Sequence, residues 1–439
     1  MIFSFYKEAY SITLSWWEPF VRVCRRWRHV IFASPRSLGL TVVCTPRTPV
    51  KESLNIWPPL AIAVCSIYCA PPGRNENIIA ALEHSDRITY IQLDDLTPSK
   101  LRTFSHMMAR PFSALTYLSL ESIIGGDVGL PEVFLGGSAP SLQTFRLTGI
   151  TFLALPKLLL STTQLETLEF NFPSGCISPQ VVATCLAALP NLKQLSIEFH
   201  EIDRYPDQSN PPTRSILPSL ASFFFNGTGG YLEDLLAQFD APSLRALSVT
   251  LWKEDFVKGF SQLVQFVSRA EKLRPTIRAM VEFDFWRVLL KFIPSHGFNF
   301  AIVCHALDEQ VESMAVVCRE FSPLLSHVER LDIRCNELPP LFSSMDPMHW
   351  LEIFRPFITV KDLYISKQLR QQIAPAMRAL SSEAAADILP ELDTIFLEKL
   401  HRYGRAQLSI IDTLIASRLL FGHPISIKQC TASDFDTRS

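Results

Sequence analysis

Residues able to do chemistry are thinly spread in this 439-residue sequence. Of its ten cysteines and ten histidines, the nearest approach to a metal-ligand set is Cys304-His305 with Cys318 and His327 downstream. That spacing fits no zinc framework, and reduced cysteine behaves as a small hydrophobe, so these positions are read as core packing. His200-Glu201 lacks the second histidine, four positions after the first, that a helical zinc site requires. Asp94-Asp95 follows an apolar run and is read as a turn or rim, not as an acid–base pair. The Gly-rich turn Asn226-Gly227-Thr228-Gly229-Gly230 places Leu232 where a dinucleotide loop needs its third glycine, so it is read as an ordinary turn. Asn226-Gly227-Thr228 is also a glycosylation sequon, silent in a cytosolic protein. No phosphate-loop motif G-x-x-x-x-G-K-[ST] and no G-x-S-x-G elbow occurs. The sequence therefore nominates no catalytic, cofactor-binding or metal-binding residue, and the expectation is a non-enzyme without a cofactor.

Composition supports that direction. Hydrophobic residues make up 48% and charged residues 19%, with a formal net charge of −2. Such a chain can bury a large core, and it lacks the basic surplus that neutralises nucleic-acid phosphates. Gly counts only 16 against 31 Pro and 31 Phe, a balance suited to many short elements joined by stiff turns. The cysteines contain no C-x-x-C pair and are too sparse for a secreted disulfide scaffold, so a cytoplasmic or nuclear protein with reduced thiols is expected. The opening residues lack the basic start of a signal peptide. In the charge-free window 53–73, prolines leave only Leu60–Ala70 as unbroken apolar sequence, which predicts a buried strand and no membrane span.

The elements that position everything else come from a repeat. Apolar residues at i, i+3 and i+5 recur as Ile88-Ile91-Leu93, Leu115-Leu118-Leu120, Leu142-Phe145-Leu147 and Leu165-Leu168-Phe170. They continue as Leu192-Leu195-Ile197, Leu220-Phe223-Phe225 and Leu244-Leu247-Val249, then as Val328-Leu331-Ile333, Val360-Leu363-Ile365 and Leu392-Ile395-Leu397. The spacing fits leucine-rich repeats of about 20–29 residues, with longer final units. It predicts an α/β chain of roughly a dozen units at that period, an irregular leucine-rich-repeat-like solenoid of parallel short strands with helical returns. Returns are predicted at Ser99–Ala109, Pro179–Leu189, Tyr231–Phe239, Phe256–Arg269, Leu307–Val328 and Pro375–Ile388. Pro140, Pro190, Pro218 and Pro242 each stop a return and launch the next strand. The asparagine that usually follows the strand is present only near Asn171 and Asn226. Between 274 and 305 the triplet degrades, and Ile277–Phe285 and Phe298–Val303 are read as two strands whose region has room for two extra units.

Ahead of the repeats, residues 1–40 form a separate helical segment, with 41–439 as the repeat body. Phe20, Cys24, Trp27 and Ile31 step by helical spacing onto one face, with Arg22, Arg25, Arg26 and His29 opposite as a solvated basic face. The segment Val21–Leu38, with its core Val23-Cys24-Arg25-Arg26-Trp27-Arg28, resembles the C-terminal half of an F-box. Cys44-Thr45-Pro46-Arg47, Asn77–Arg87, Phe134–Pro140 and Gly422-His423-Pro424-Ile425 extend the likeness over nearly the whole chain. Together they resemble the F-box proteins of mushroom-forming fungi with leucine-rich-repeat-like bodies. The resemblance implies docking on the small adaptor of an SCF-type cullin-RING ubiquitin ligase, with Phe20, Cys24, Trp27 and Ile31 as adaptor contacts. It also implies an unknown protein substrate held by the body. The Leu-Pro opening of the box is absent, so the box reads as truncated; the alternatives are a scaffold or inactive copy that no longer docks, and a repeat-bearing enzyme with an unrecognised site.

Strand positions i+2 and i+4 of each triplet point away from the residues at i+3 and i+5. On this ground Tyr117, Ser119, Thr144, Arg146, Thr167, Glu169, Gln194, Ser196, Ser222 and Phe224 are the expected partner-binding concave face.

Overall fold

The computed structural model describes residues 17–33, 39–66, 75–122, 129–172, 177–199, 214–252, 259–273, 277–293, 297–338, 340, 346–379, 387–398 and 425–431. They fall into two compact units, 1–209 and 210–439.

In the first unit seven strands run parallel and pair in chain order: β1 (Thr41–Cys44), β2 (Ala61–Cys65), β3 (Ile88–Leu93), β4 (Tyr117–Glu121), β5 (Thr144–Thr148), β6 (Thr167–Phe172) and β7 (Gln194–Phe199). The predicted triplets set the register. Leu118, Phe145, Leu168 and Leu195 align across β4 to β7, and Leu120, Leu147, Phe170 and Ile197 form the next buried row. The first apolar residue of each unit, such as Leu115, Leu142 and Leu192, is buried one turn earlier. Here the proline signal takes a definite form. Leu142 N–H donates to Ala139 C=O at 3.2 Å and Leu192 N–H to Leu189 C=O at 3.2 Å, so Pro140 and Pro190 occupy the second position of a β-turn, where their fixed φ belongs. The residue after each proline ties its turn to the preceding repeat: Ser141 Oγ donates to Ser113 C=O at 2.8 Å and Asn191 Nδ2 to Thr163 C=O at 3.2 Å. Where β5 ends, Gly149 has φ +70°, and a Cβ there would lie 2.4 Å from the carbonyl oxygen of Ser122. Only glycine fits that approach.

The second unit begins with β8 (Ser215–Ile216), β9 (Ser222–Gly227), β10 (Phe239–Asp240) and β11 (Ala246–Trp252). β8 and β10 form a separate parallel pair. The chain then makes β12 (Arg278–Asp284), β13 (Arg287–Ile293) and β14 (Phe298–Val303), followed by β15 (Arg330–Cys335), β16 (Asp362–Ile365), β17 (Thr394–Glu398) and β18 (Ser426–Cys430). Spatial order departs from chain order: β9, β11, β14, β13, β12, β15, β16, β17, β18. β13 is antiparallel to both neighbours, while β11–β14 and β12–β15 remain parallel.

This corrects the sequence reading of 274–305. Two of its strands stand where expected, but Arg287–Ile293 is a third, reached by a two-residue connection, Phe285-Trp286. That dipeptide carries none of the Gly or Asn chemistry that marks a hairpin, and a template of parallel repeats has no place for a reversal.

Helical returns stand where expected, with shifted ends. They span Pro98–Met107, Pro179–Ala187, Gly229–Leu236, Ser261–Arg269, Leu307–Glu320 and Arg370–Ala379. Phe239 leaves its helix to join β10, and Pro323 follows a break at Phe321 that starts a separate turn, Ser322–Leu325. Residues 256–258 and 380–386, parts of two predicted helices, lie outside the described residues, as do 67–70 of the predicted strand Leu60–Ala70.

Successive returns are also wired together. The N–H groups of Gln262 and Leu263, in the first turn of the Ser261–Arg269 helix, donate to the carboxylate of Glu233 on the previous return at 2.8 and 2.9 Å. Burial raises the Glu233 carboxyl above its usual range, and these hydrogen bonds oppose the rise. Glu233→Ala strands two helix-terminal donors beneath the repeat and is expected to cost about 1–3 kcal/mol, read as a lower urea midpoint at unchanged slope.

The fold is thus an α/β, leucine-rich-repeat-like solenoid, irregular in its second unit.

Candidate functional site

Strand alternation decides which side chains face outward. Along β4, β5 and β7 buried and half-buried residues alternate, so Tyr117, Ser119, Thr144, Arg146, Gln194 and Ser196 stand half-buried on one face, with Thr167 and Glu169 of β6 between them. The register aligns Tyr117, Thr144, Thr167 and Gln194 in one row and Ser119, Arg146, Glu169 and Ser196 in the next. All eight residues expected on the first unit's outward face are therefore brought together. Ser222 and Phe224 belong to the second unit, where they align with Ala246 and Ser248 of β11.

The sequence reading missed the start of the face. Tyr90 and Gln92 of β3 extend the same two rows, and the Tyr90 and Tyr117 rings stack at 4.2 Å with planes 8° apart. Beside them the Arg146 guanidinium lies 6.0 Å from the Tyr117 ring centre, pairs with Glu169 at 3.1 Å, and Gln194 donates to Glu169 at 3.1 Å. On the other side Tyr90 OH donates to Gln92 at 2.6 Å, and Gln92 donates to Asp94 at 3.4 Å. A chain of polar and aromatic contacts thus spans five strands. Tyr90 follows Ile88 by two, so extending the i+2 rule to the first triplet would have found it. Asn171 does not form an inner ladder; it sits on this face and donates to Glu198 at 2.8 Å. Asp94-Asp95 takes the expected rim position, with Asp95 at φ 56°.

On the second unit the face is partly closed. Tyr364 and Phe396 align across β16 and β17 and cluster with Cys430 of β18, all three buried, at 1%, 3% and 3% exposure. Burial raises the Tyr364 phenol, and the neighbouring Glu398 carboxylate adds to the rise. Next to Tyr364, Asp332 is fully buried and its Oδ2 accepts from Arg278 and Arg334, each at 2.8 Å. Open positions remain nearer the hairpin, where Lys291 pairs with Glu282 at 2.6 Å.

The N-terminal segment differs from a single amphipathic helix. Two short helices, Glu18–Val21 and Arg25–Ala33, are separated by a turn at 22–24. Phe20 lies on the first, Cys24 in the turn, and Trp27 and Ile31 on the second, so the four residues do not share one helical face. The turn lets Phe20 stack on Trp27 at 5.9 Å, and Arg28 bridges the break by donating to Val21 C=O at 3.1 Å. Ile31 is buried, whereas Cys24 and Trp27 are exposed, as are Arg22, Arg25, Arg26 and His29. Trp17 fastens the segment to the strands by donating to Thr41 C=O at 2.9 Å and packing on Trp57.

Cys304 and Cys318 are buried, His305 is exposed, and no metal-holding cluster of His, Cys, Asp or Glu occurs among the described residues. Burial pushes the thiols of Cys44, Cys65 and Cys335 up to about 12 and that of Cys185 to about 11. A thiol so raised is a poor nucleophile. Iodoacetamide treatment of the native protein at pH 8, followed by peptide mapping, is expected to mark Cys24 within minutes and leave these four unmodified until denaturant is added. No helix among the described residues is long and apolar enough to cross a membrane.

No family model and no curated protein matches the chain. Among solved structures it is similar to the leucine-rich repeat-containing protein LegL7 from Legionella pneumophila at 12% identity and a TM-score of 0.26, over 85% of this chain and 97% of that one. The fold assignment rests on this chain's own strand order, register and buried triplets.

Proposed function

We propose that the chain is a non-enzymatic protein-interaction module, working in the cytoplasm or nucleus as the substrate-recognition subunit of an SCF-type ubiquitin ligase. The observation that carries the interaction role is the half-buried face of β3 to β7, where five strands present aligned polar and aromatic side chains. Repeat arrays bind partners through such extended strand surfaces. The ligase role is supported by the F-box-like residues and by the exposed side chains Val23, Trp27 and Val30 around the helix Arg25–Ala33, at 61%, 38% and 49% exposure. Exposed apolar residues grouped in this way mark interaction surfaces. A scaffold that no longer docks is the second reading, favoured by the turn at 22–24, which breaks the single helical face expected for Phe20, Cys24, Trp27 and Ile31.

Pull-down with the ligase adaptor separates the two, using a relative with a complete box as positive control. Capture that is lost in Trp27→Ala supports the ligase role. Absence of capture by a chain with native circular dichroism removes it and leaves the scaffold.

A further inference from the structure

The carboxylates at the upper edge of the first unit's strand face are unevenly compensated. Arg146 pairs with Glu169 at 3.1 Å, and Lys193 pairs with Glu166 at 2.8 Å. Asp94, Asp95 and Glu121 gather where β3 and β4 end, since Leu93 aligns with Leu120 and the next residues are Asp94 and Glu121. None of the three forms an ion pair among the described residues. Asp95 and Glu121 are exposed and Asp94 is half-buried. Burial raises the Asp94 carboxyl, the Gln92 hydrogen bond opposes this, and the charge of Asp95 adds to it. Negative charge is therefore concentrated at this edge.

Directly below stand the stacked rings of Tyr90 and Tyr117, both half-buried. Aromatic faces attract cations, and the chain demonstrates the preference itself by setting Arg146 at the limit of that range from Tyr117. Glu169 draws Arg146 toward β6, so the cation on this part of the face already has its countercharge.

We propose that this edge captures a basic, extended segment of a protein partner, with a Lys or Arg side chain packed against Tyr90 and Tyr117 and its charge met by Asp94, Asp95 and Glu121. The inference rests on reading the strand face as a docking surface and adds the chemistry of what docks. Charge complementarity selects the occupant: a phosphate backbone or an acidic peptide would be repelled, whereas an arginine or lysine finds both an apolar platform and a countercharge.

Selection of random peptides displayed against the immobilised full chain tests this directly. Lys- and Arg-rich peptides are expected to be enriched, with binding that weakens as salt is raised. The triple variant Asp94→Asn, Asp95→Asn, Glu121→Gln is expected to lower their affinity about tenfold, while Glu337→Gln on the second unit leaves it unchanged. Enriched basic peptides that bind the triple variant as tightly as the parent would overturn the proposal. Enrichment of acidic or uncharged peptides whose binding is lost in Tyr117→Ala would overturn the basic partner yet keep the docking face. No enrichment, or enrichment indifferent to Tyr117 and all three carboxylates, would overturn both.

Discussion

Replacing Asp332 by alanine is expected to destabilise the second unit by about 3–5 kcal/mol, the range measured when one partner of a buried ion pair is removed. Asp332 is fully buried on β15, and its Oδ2 is the point on which Arg278 of β12 and Arg334 of its own strand converge. The Arg278 side chain is only 7% exposed, so after the substitution its positive charge stays inside, away from water. β12 and β15 pair along this line, with Arg278 opposite Arg330 and Met280 opposite Asp332, so the loss falls on the joint between the hairpin and the repeats that follow. Replacing the pair together, with Asp332→Leu and Arg278→Met, exchanges two buried charges for apolar volume and is expected to recover most of the loss. Urea unfolding followed by the fluorescence of Trp252, Trp286 and Trp350, all in the second unit, reads both variants. A loss below about 1 kcal/mol in Asp332→Ala would mean that the site behaves like a surface pair.

Trp350→Ala is expected to cost a similar amount, about 3–5 kcal/mol. Trp350 is completely buried on the helix Pro347–Phe354, with its ring 5.4 Å from Phe283 of β12 and 6.4 Å from Phe354. The helix is fixed at its start by Asp346, whose Oδ1 accepts from Met348 N–H at 2.9 Å, with Pro347 in the first position. A rigid start and a close-packed ring leave little room for collapse around the cavity that alanine creates. Trp350→Phe keeps a ring against Phe283 and is expected to lose markedly less. Thermal unfolding of the two variants gives the order, and equal losses would show that ring packing at this position contributes nothing.

Much of this architecture was legible from the triplets. Ten of them name ten strands, because residues at i+3 and i+5 must be buried together for a short strand to hold a helix behind it. The prolines were equally informative, since a fixed φ suits the second position of the turns that precede β5, β7 and β11. The hairpin was not legible. A run such as Val288-Leu289-Leu290 carries no sign of its direction, and the reversal at Phe285-Trp286 is held by tertiary contacts. Gln310 Nε2 donates to Asp284 C=O at 2.8 Å and to Cys304 C=O at 2.9 Å, and Cys304 N–H donates to Trp286 C=O at 3.1 Å. The N-terminal face failed for a related reason: helical spacing of Phe20, Cys24, Trp27 and Ile31 assumes an unbroken helix, and the chain turns at 22–24. The outward face was legible wherever the i+2 rule was applied, and Tyr90 and Gln92 were overlooked only because the rule was started one strand late.

The order β11, β14, β13, β12 also bears on how the protein is assembled during synthesis. In a chain whose strands pair in sequence, each new repeat has a finished edge waiting for it, and growth can follow the ribosome. Here the neighbour of β11 is β14, so the edge of β11 stays uncapped while β12 and β13 are being made. β12 and β13 can close on each other as a local hairpin, but they join β11 only once Val303 has emerged. The second unit therefore contains a checkpoint: its later repeats build on β12, and β12 is seated only when a strand translated after it has filled the gap.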